Sequence, residues 1–123
     1  MIPQKSSPTH CHLWTDGKIS KTDLLDSLEV VEVIEQDSHF TRKILRCKEC
    51  GQLFLYQFFE EVDWEGGNDA QFYLWIPVDT ISRAKKFCKK SALEVQTLPG
   101  IRIDFSKEMK EPIGPYKFPK DKM

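Results

Sequence analysis

The sequence predicts an α+β fold, a small single domain on an antiparallel sheet of about four strands with one main helix and a cysteine-bearing turn inside the sheet. Three observations predict it. Runs rich in β-branched and aromatic residues recur with turn-forming residues between them. One stretch, after residue 79, repeats apolar residues at helical spacing. The segment Cys47-Lys48-Glu49-Cys50-Gly51 falls between two of the β-like runs. With 123 residues the chain is long enough for one core.

Taken in order, residues 1–9 are polar and contain proline, which predicts a loosely ordered arm. Asp16-Gly17 predicts a turn, and Thr22 to Leu28 a short helical turn carrying Leu24, Leu25 and Leu28 on one face. Val30 to Glu35 and Phe40 to Cys47 read as the strands of a hairpin around Gln36-Asp37-Ser38-His39. Leu53 to Val62 leaves the cysteine turn as the next strand. Residues 63–69 form a loop on composition, and Gln71 to Val78 is a fourth strand. Asp79 or Thr80 can cap a helix over 80–92 with Ile81, Ala84, Cys88 and Ala92 on its apolar face. Pro99-Gly100 breaks the chain, and Ile101 to Phe105 offers one short alternating strand. Residues 111–123 show no periodicity and read as a second loosely ordered arm, with the domain spanning 1–123.

The net charge of −1 hides an uneven distribution: residues 1–47, 48–82 and 83–123 carry −1, −6 and +6. No lysine or arginine lies between Lys48 and Arg83, a stretch that holds Glu49, Glu60, Glu61, Asp63, Glu65, Asp69 and Asp79. A field of one sign steers a partner of the other. No apolar run approaches the roughly 20 residues that span a bilayer, and Met1 to Pro8 lacks the apolar core of an export signal. The expectation is a cytoplasmic protein with no membrane partner.

Four cysteines in a reducing compartment point to metal ligands or buried thiols rather than disulfides. Cys47 and Cys50 supply two thiolates from one reversal of the chain, and Gly51 suits the backbone such a turn needs. The other ligands come from His10-Cys11-His12. The predicted set is Cys11, His12, Cys47 and Cys50, with His10 as the alternative to His12. His39 lies at the far end of a strand that spans roughly 25 Å, which argues against it. Two or three thiolates with imidazole suit Zn2+ in a structural role, closed by four protein ligands. The competing reading makes Cys47 and Cys50 core residues and the histidines surface groups. Cys88, alone on the apolar face of a helix, reads as packing.

Eight of the fourteen aromatic residues fall between Phe54 and Trp75, and both faces of the run from Leu53 to Phe59 are apolar. Such a strand needs cover on each side. Either the chain covers both faces itself, or one face serves a partner. In the second case Phe54, Tyr56, Phe58, Glu60, Glu61, Asp63, Trp64 and Asp69 form an acidic, aromatic patch for a protein with a basic surface. The rival is a nucleic-acid-binding zinc module that uses the basic 80–92 helix and the tail lysines. It ranks second because the aromatics sit among acids, which repel a phosphate backbone. No phosphate loop, nucleophile elbow or His-Glu-x-x-His helix is present, so no enzymatic activity is expected.

Cys47-Lys48-Glu49-Cys50-Gly51 resembles the knuckle of zinc-ribbon proteins over those five residues; the likeness implies a metal and carries no activity. In size, acidity and lack of catalytic motifs the chain is also similar to bacterial immunity proteins, which cover the basic active site of a toxin. The expected function is a non-catalytic, zinc-stabilised module that binds another protein.

Overall fold

A computed structural model describes residues 11, 13, 20–61, 70–105 and 113–118, with backbone alone for 21, 61, 105 and 113–118. Ser20 opens helix α1 (Lys21–Ser27) with a capping box: its hydroxyl accepts from the Asp23 N–H, and the Asp23 carboxylate accepts from the Ser20 N–H. Of the three leucines expected on one face, Leu24 is buried and Leu25 exposed, while Leu28 already begins β1 (Leu28–Gln36).

Strands β2 (Phe40–Cys47), β3 (Leu53–Glu61), β4 (Ala70–Val78) and β5 (Gly100–Phe105) follow, with a sixth, β6 (Ile113–Phe118), beside β5. All neighbours are antiparallel and the order is β1-β2-β3-β4-β5-β6, a simple meander. The sheet is therefore wider than the four strands expected. The run at 101–105 pairs with β4, and part of the stretch read as the 111–123 arm supplies β6. Pro115 hides that strand from pattern reading, because proline is tolerated only where no ladder donor is needed, as at a sheet edge.

Each face of the sheet is covered over part of its area. On one, α2 (Ile81–Phe87) and α3 (Ala92–Val95) place Ala84 and Val95 against Ile44, Leu55, Leu74, Ile76 and Val78. On the other, Leu24 of α1 joins Cys11 and Leu13 over Leu45, Phe54, Trp75, Ile101 and Ile103. Two bulges in β1, between Val30 and Glu32 and between Val33 and Glu35, break its alternation. The outcome is an irregular pattern in which Val30, Val33, Glu35 and Gln36 are exposed.

The helix expected over 80–92 is two helices. Thr80 caps α2, accepting from the Arg83 N–H at 3.0 Å, while Asp79 pairs with the Arg83 side chain at 3.2 Å. The chain leaves α2 at Cys88 and restarts at Ser91, whose hydroxyl accepts from the Glu94 N–H in a second capping box. Hydrogen bonds from Ser91, led by its backbone N–H, hold the exposed Glu94 carboxyl below the ordinary carboxylate range. A depressed folded-state pKa stabilises above the unfolded value and is lost as pH falls through the folded one. Glu94→Ala is expected to lower the urea midpoint at pH 7, and the gap from the parent protein to shrink below about pH 4, as read by paired titrations.

Arg42 joins these helices to the sheet. It lies on β2 at 4% exposure and donates from Nε to Gln57 Oε1 at 3.0 Å, from Nη1 to the Cys88 carbonyl at 2.7 Å and from Nη2 to the Lys90 carbonyl at 2.8 Å. Gln57, itself buried, donates to the Ala92 carbonyl at 3.1 Å. The guanidinium thus closes the C-terminal end of α2, where carbonyls lack intrahelical donors. Burial pulls its pKa below the ordinary value, opposed by Cys88 and Glu35.

Gly100 begins β5 where there is no space for a side chain. A Cβ there would lie 2.6 Å from the Trp75 carbonyl oxygen and 2.9 Å from Leu74 Cδ1. The first of these is backbone and cannot swing away. Gly100→Ala is expected to cost about 1–3 kcal/mol as overpacking, measured as a drop in urea midpoint at unchanged slope.

Candidate metal centre

The β2–β3 connection is built by its own backbone. Cys47 N–H donates to the Gln52 carbonyl at 2.8 Å, Gly51 N–H donates to the Cys47 carbonyl at 2.8 Å, and Gly51 has φ of +83°. That left-handed conformation is open to glycine at no steric cost, which explains the residue following the second cysteine. Two more contacts fix the turn in place. Lys48 N–H donates to the Ser27 carbonyl at 2.8 Å, tying it to the end of α1. Gln52 Nε2 donates to the Leu53 and Val78 carbonyls at 3.0 and 2.7 Å, tying it to the end of β4.

Cys47 ends β2 on the face covered by α1, and Cys11 is buried in the same cluster. The sulfurs of Cys11, Cys47 and Cys50 all lie within 4.8 Å of one another, although 35 residues lie between Cys11 and Cys47. Cys11 and Cys47 are each 1% exposed, whereas Cys50 is exposed. Burial pushes the Cys11 thiol up to about 12, against a hydrogen bond from Leu13; the thiol contact with Cys50 and the proximity of Cys47 add to the rise. Without a cation the buried sulfur stays protonated, and coordination is what releases such protons. The three donors, two of them sheltered from water, fit a thiophilic metal ion.

The three cysteines of the expected ligand set are therefore brought together. His12 and its alternative His10 lie outside the described residues. His39 is at the opposite end of β2, where its Nδ1 meets Glu60 Oε1 at 2.8 Å. Cys88 is half-buried and packs on the helix-covered face of the sheet, and burial raises its thiol pKa.

The acidic, aromatic patch separates into parts. Phe54 does not belong to it: at 0% exposure it is a core residue under α1, Cys11 and Leu13. Tyr56 and Phe58 are half-buried on the same face and form a ladder with β4, Tyr56 against Trp75 at 5.3 Å between ring centroids and Phe58 against Tyr73 at 5.0 Å. Burial pushes the Tyr56 hydroxyl up to about 12. Glu60 is engaged within the chain, by His39 and by Gln71 Nε2 at 3.3 Å, and Gln71 in turn accepts from the Tyr73 hydroxyl at 3.1 Å. Glu61 is described as backbone only, and Asp63, Trp64 and Asp69 lie outside the described residues. Leu25, Val30 and Val33 are exposed apolar side chains, and Leu25 and Val30 border a groove of about 210 Å³ with Leu24, Lys43, Tyr56 and Trp75.

The basic stretch is dispersed as well. Lys85 pairs with Glu32 at 3.3 Å and Arg83 with Asp79, while Lys89 and Lys90 fall on the turn between the two helices. They do not line one helical face. Among the described residues no helix is long and apolar enough to cross a membrane.

With fold and site in place, no protein-family model, curated protein or solved structure matches the chain, so the thiol cluster and the surface it supports carry the functional reading.

Proposed function

We propose that the protein is a non-catalytic, zinc-stabilised module that binds another protein in the cytoplasm. The observation that carries the metal is the convergence of the Cys11, Cys47 and Cys50 sulfurs within 4.8 Å from segments far apart in sequence. Three thiolates favour zinc over harder divalent cations, and His12, with His10 as the alternative, completes a tetrahedral set. Four protein ligands leave no position for water, which makes the role structural: the centre fastens the amino-terminal segment to the β2–β3 turn.

The binding surface is the aromatic ladder of Tyr56 and Phe58 with Glu60 and Glu61, which follow in the sequence, and with Asp63, Trp64 and Asp69. The charge of −6 over residues 48–82 selects a partner with a basic surface, as an inhibitor of the immunity-protein kind requires. Phe54 supports this surface from within the core. The metal is tested by elemental analysis of protein purified under reducing conditions, with one zinc per chain expected and its absence overturning the reading. The partner is tested by affinity isolation from native cells. A stoichiometric basic protein, lost with Phe58→Ala, is expected; recovery of nucleic acid without protein would favour the basic stretch instead.

A further inference from the structure

The three clustered sulfurs are not equivalent. Cys11 and Cys47 are buried, whereas Cys50 is exposed on a turn with exposed Lys48, Glu49 and Gly51 around it. Cys47 is fixed by hydrogen bonds at both its backbone N–H and its carbonyl, and the Cys11 sulfur lies within 4.8 Å of that of Cys50 from a segment outside the turn. A small oxidant therefore meets Cys50 first, and the sulfur that can join it without disturbing the hydrogen-bonded turn is that of Cys11.

We infer that the centre is also a peroxide-responsive thiol pair, in which Cys50 attacks the oxidant, Cys11 resolves it, and a disulfide replaces the metal as the link between the same two segments. The inference rests on the zinc reading of this site. The Cys50 thiolate attacks one peroxide oxygen; the O–O bond breaks, hydroxide leaves and a sulfenic acid forms. The Cys11 thiolate then attacks the Cys50 sulfur, the S–O bond breaks and a second hydroxide leaves. Two solvent protons convert both hydroxides to water, the two sulfurs lose two electrons, and the peroxide gains them. With two thiolate donors consumed, only Cys47 and the imidazole remain, too few to retain zinc. An S–S bond is about 2.05 Å long, so the sulfurs must close on each other, and Cys50, exposed and on a turn, is the side chain with room to rotate. Cys88 packs on the opposite face and takes no part.

The experiment titrates the full-length, zinc-loaded protein with hydrogen peroxide and follows released zinc with a chromophoric chelator. The products are digested without reduction and mapped by mass spectrometry. One zinc released per peroxide consumed is expected, with the Cys11–Cys50 cross-link as main product. Cys88→Ser is expected to behave as the parent protein, and Cys50→Ser to lose Cys11 thiol to peroxide at least tenfold more slowly than parent protein stripped of zinc by chelator, as read by alkylation, so that both are compared without the metal. A main product joining Cys47 to Cys50, or joining two chains, overturns the inference, as does an unchanged rate in Cys50→Ser. Protein that contains no zinc before oxidation overturns the metal reading instead, and the disulfide map of that protein still decides the thiol pair.

Discussion

Cys50→Ser is expected to abolish stoichiometric zinc and to destabilise the zinc-loaded protein by about 4 kcal/mol, the linkage from a site loaded at a thousand times its dissociation constant. The exposure of this sulfur makes the result interpretable. Surface substitutions away from special features change stability by about 0.5 kcal/mol or less, so the variant and the parent should converge once a strong chelator is added. Cys47→Ser lacks that property, because the hydroxyl would replace a buried thiol in the core. Urea titrations of both proteins, with and without chelator, and elemental analysis check the expectation. A Cys50→Ser protein as stable as the parent and still carrying one zinc would remove Cys50 from the ligand set.

Arg42→Met is expected to cost about 3–5 kcal/mol, the range for removing one partner of a buried charged network. The methionine fills part of the volume but leaves Gln57 Oε1 and the Cys88 and Lys90 carbonyls without their guanidinium donors. Arg42→Lys should also be costly, since one ammonium cannot reach three acceptors in a planar fork. The check is a urea titration combined with amide hydrogen exchange. Protection should fall first at the α2 and α3 amides, while the zinc stoichiometry stays unchanged, because Arg42 acts on the other face of the sheet. Uniform loss of protection would mean that the helices do not depend on this latch.

The parts of the fold that follow from local chemistry were legible in the sequence. Phe40 to Cys47 is the strand predicted, Thr80 is one of the two caps considered, and the cysteine turn sits between neighbouring strands as expected. The three cysteines of the predicted ligand set converge because a Cys-x-x-Cys-Gly turn and a histidine-cysteine cluster are dense local signals. What was missed depends on tertiary cover. Arg42 was not singled out in the sequence, and only the carbonyls arriving from the α2–α3 turn make the burial of its charge favourable. Phe54 seemed available to a partner because both faces of its strand are apolar, and the amino-terminal segment that covers it shows no periodicity of its own. The bulges in β1 have no composition signature. Ser20 and Ser91 did leave a readable trace, an acidic residue three positions on, which would have divided the 80–92 stretch into two helices.

The meander has a kinetic meaning. Since every strand pairs only with its neighbour along the chain, the sheet can zip strand by strand, with the helix-bearing connection over 79–99 as its longest closure between described strands. Longer appointments remain, that of Arg42 with the Cys88 and Lys90 carbonyls and that of Cys11 with the β2–β3 turn. If the thiol cluster holds a metal, as proposed, the second of them completes at a rate that follows the supply of metal rather than the length of the chain.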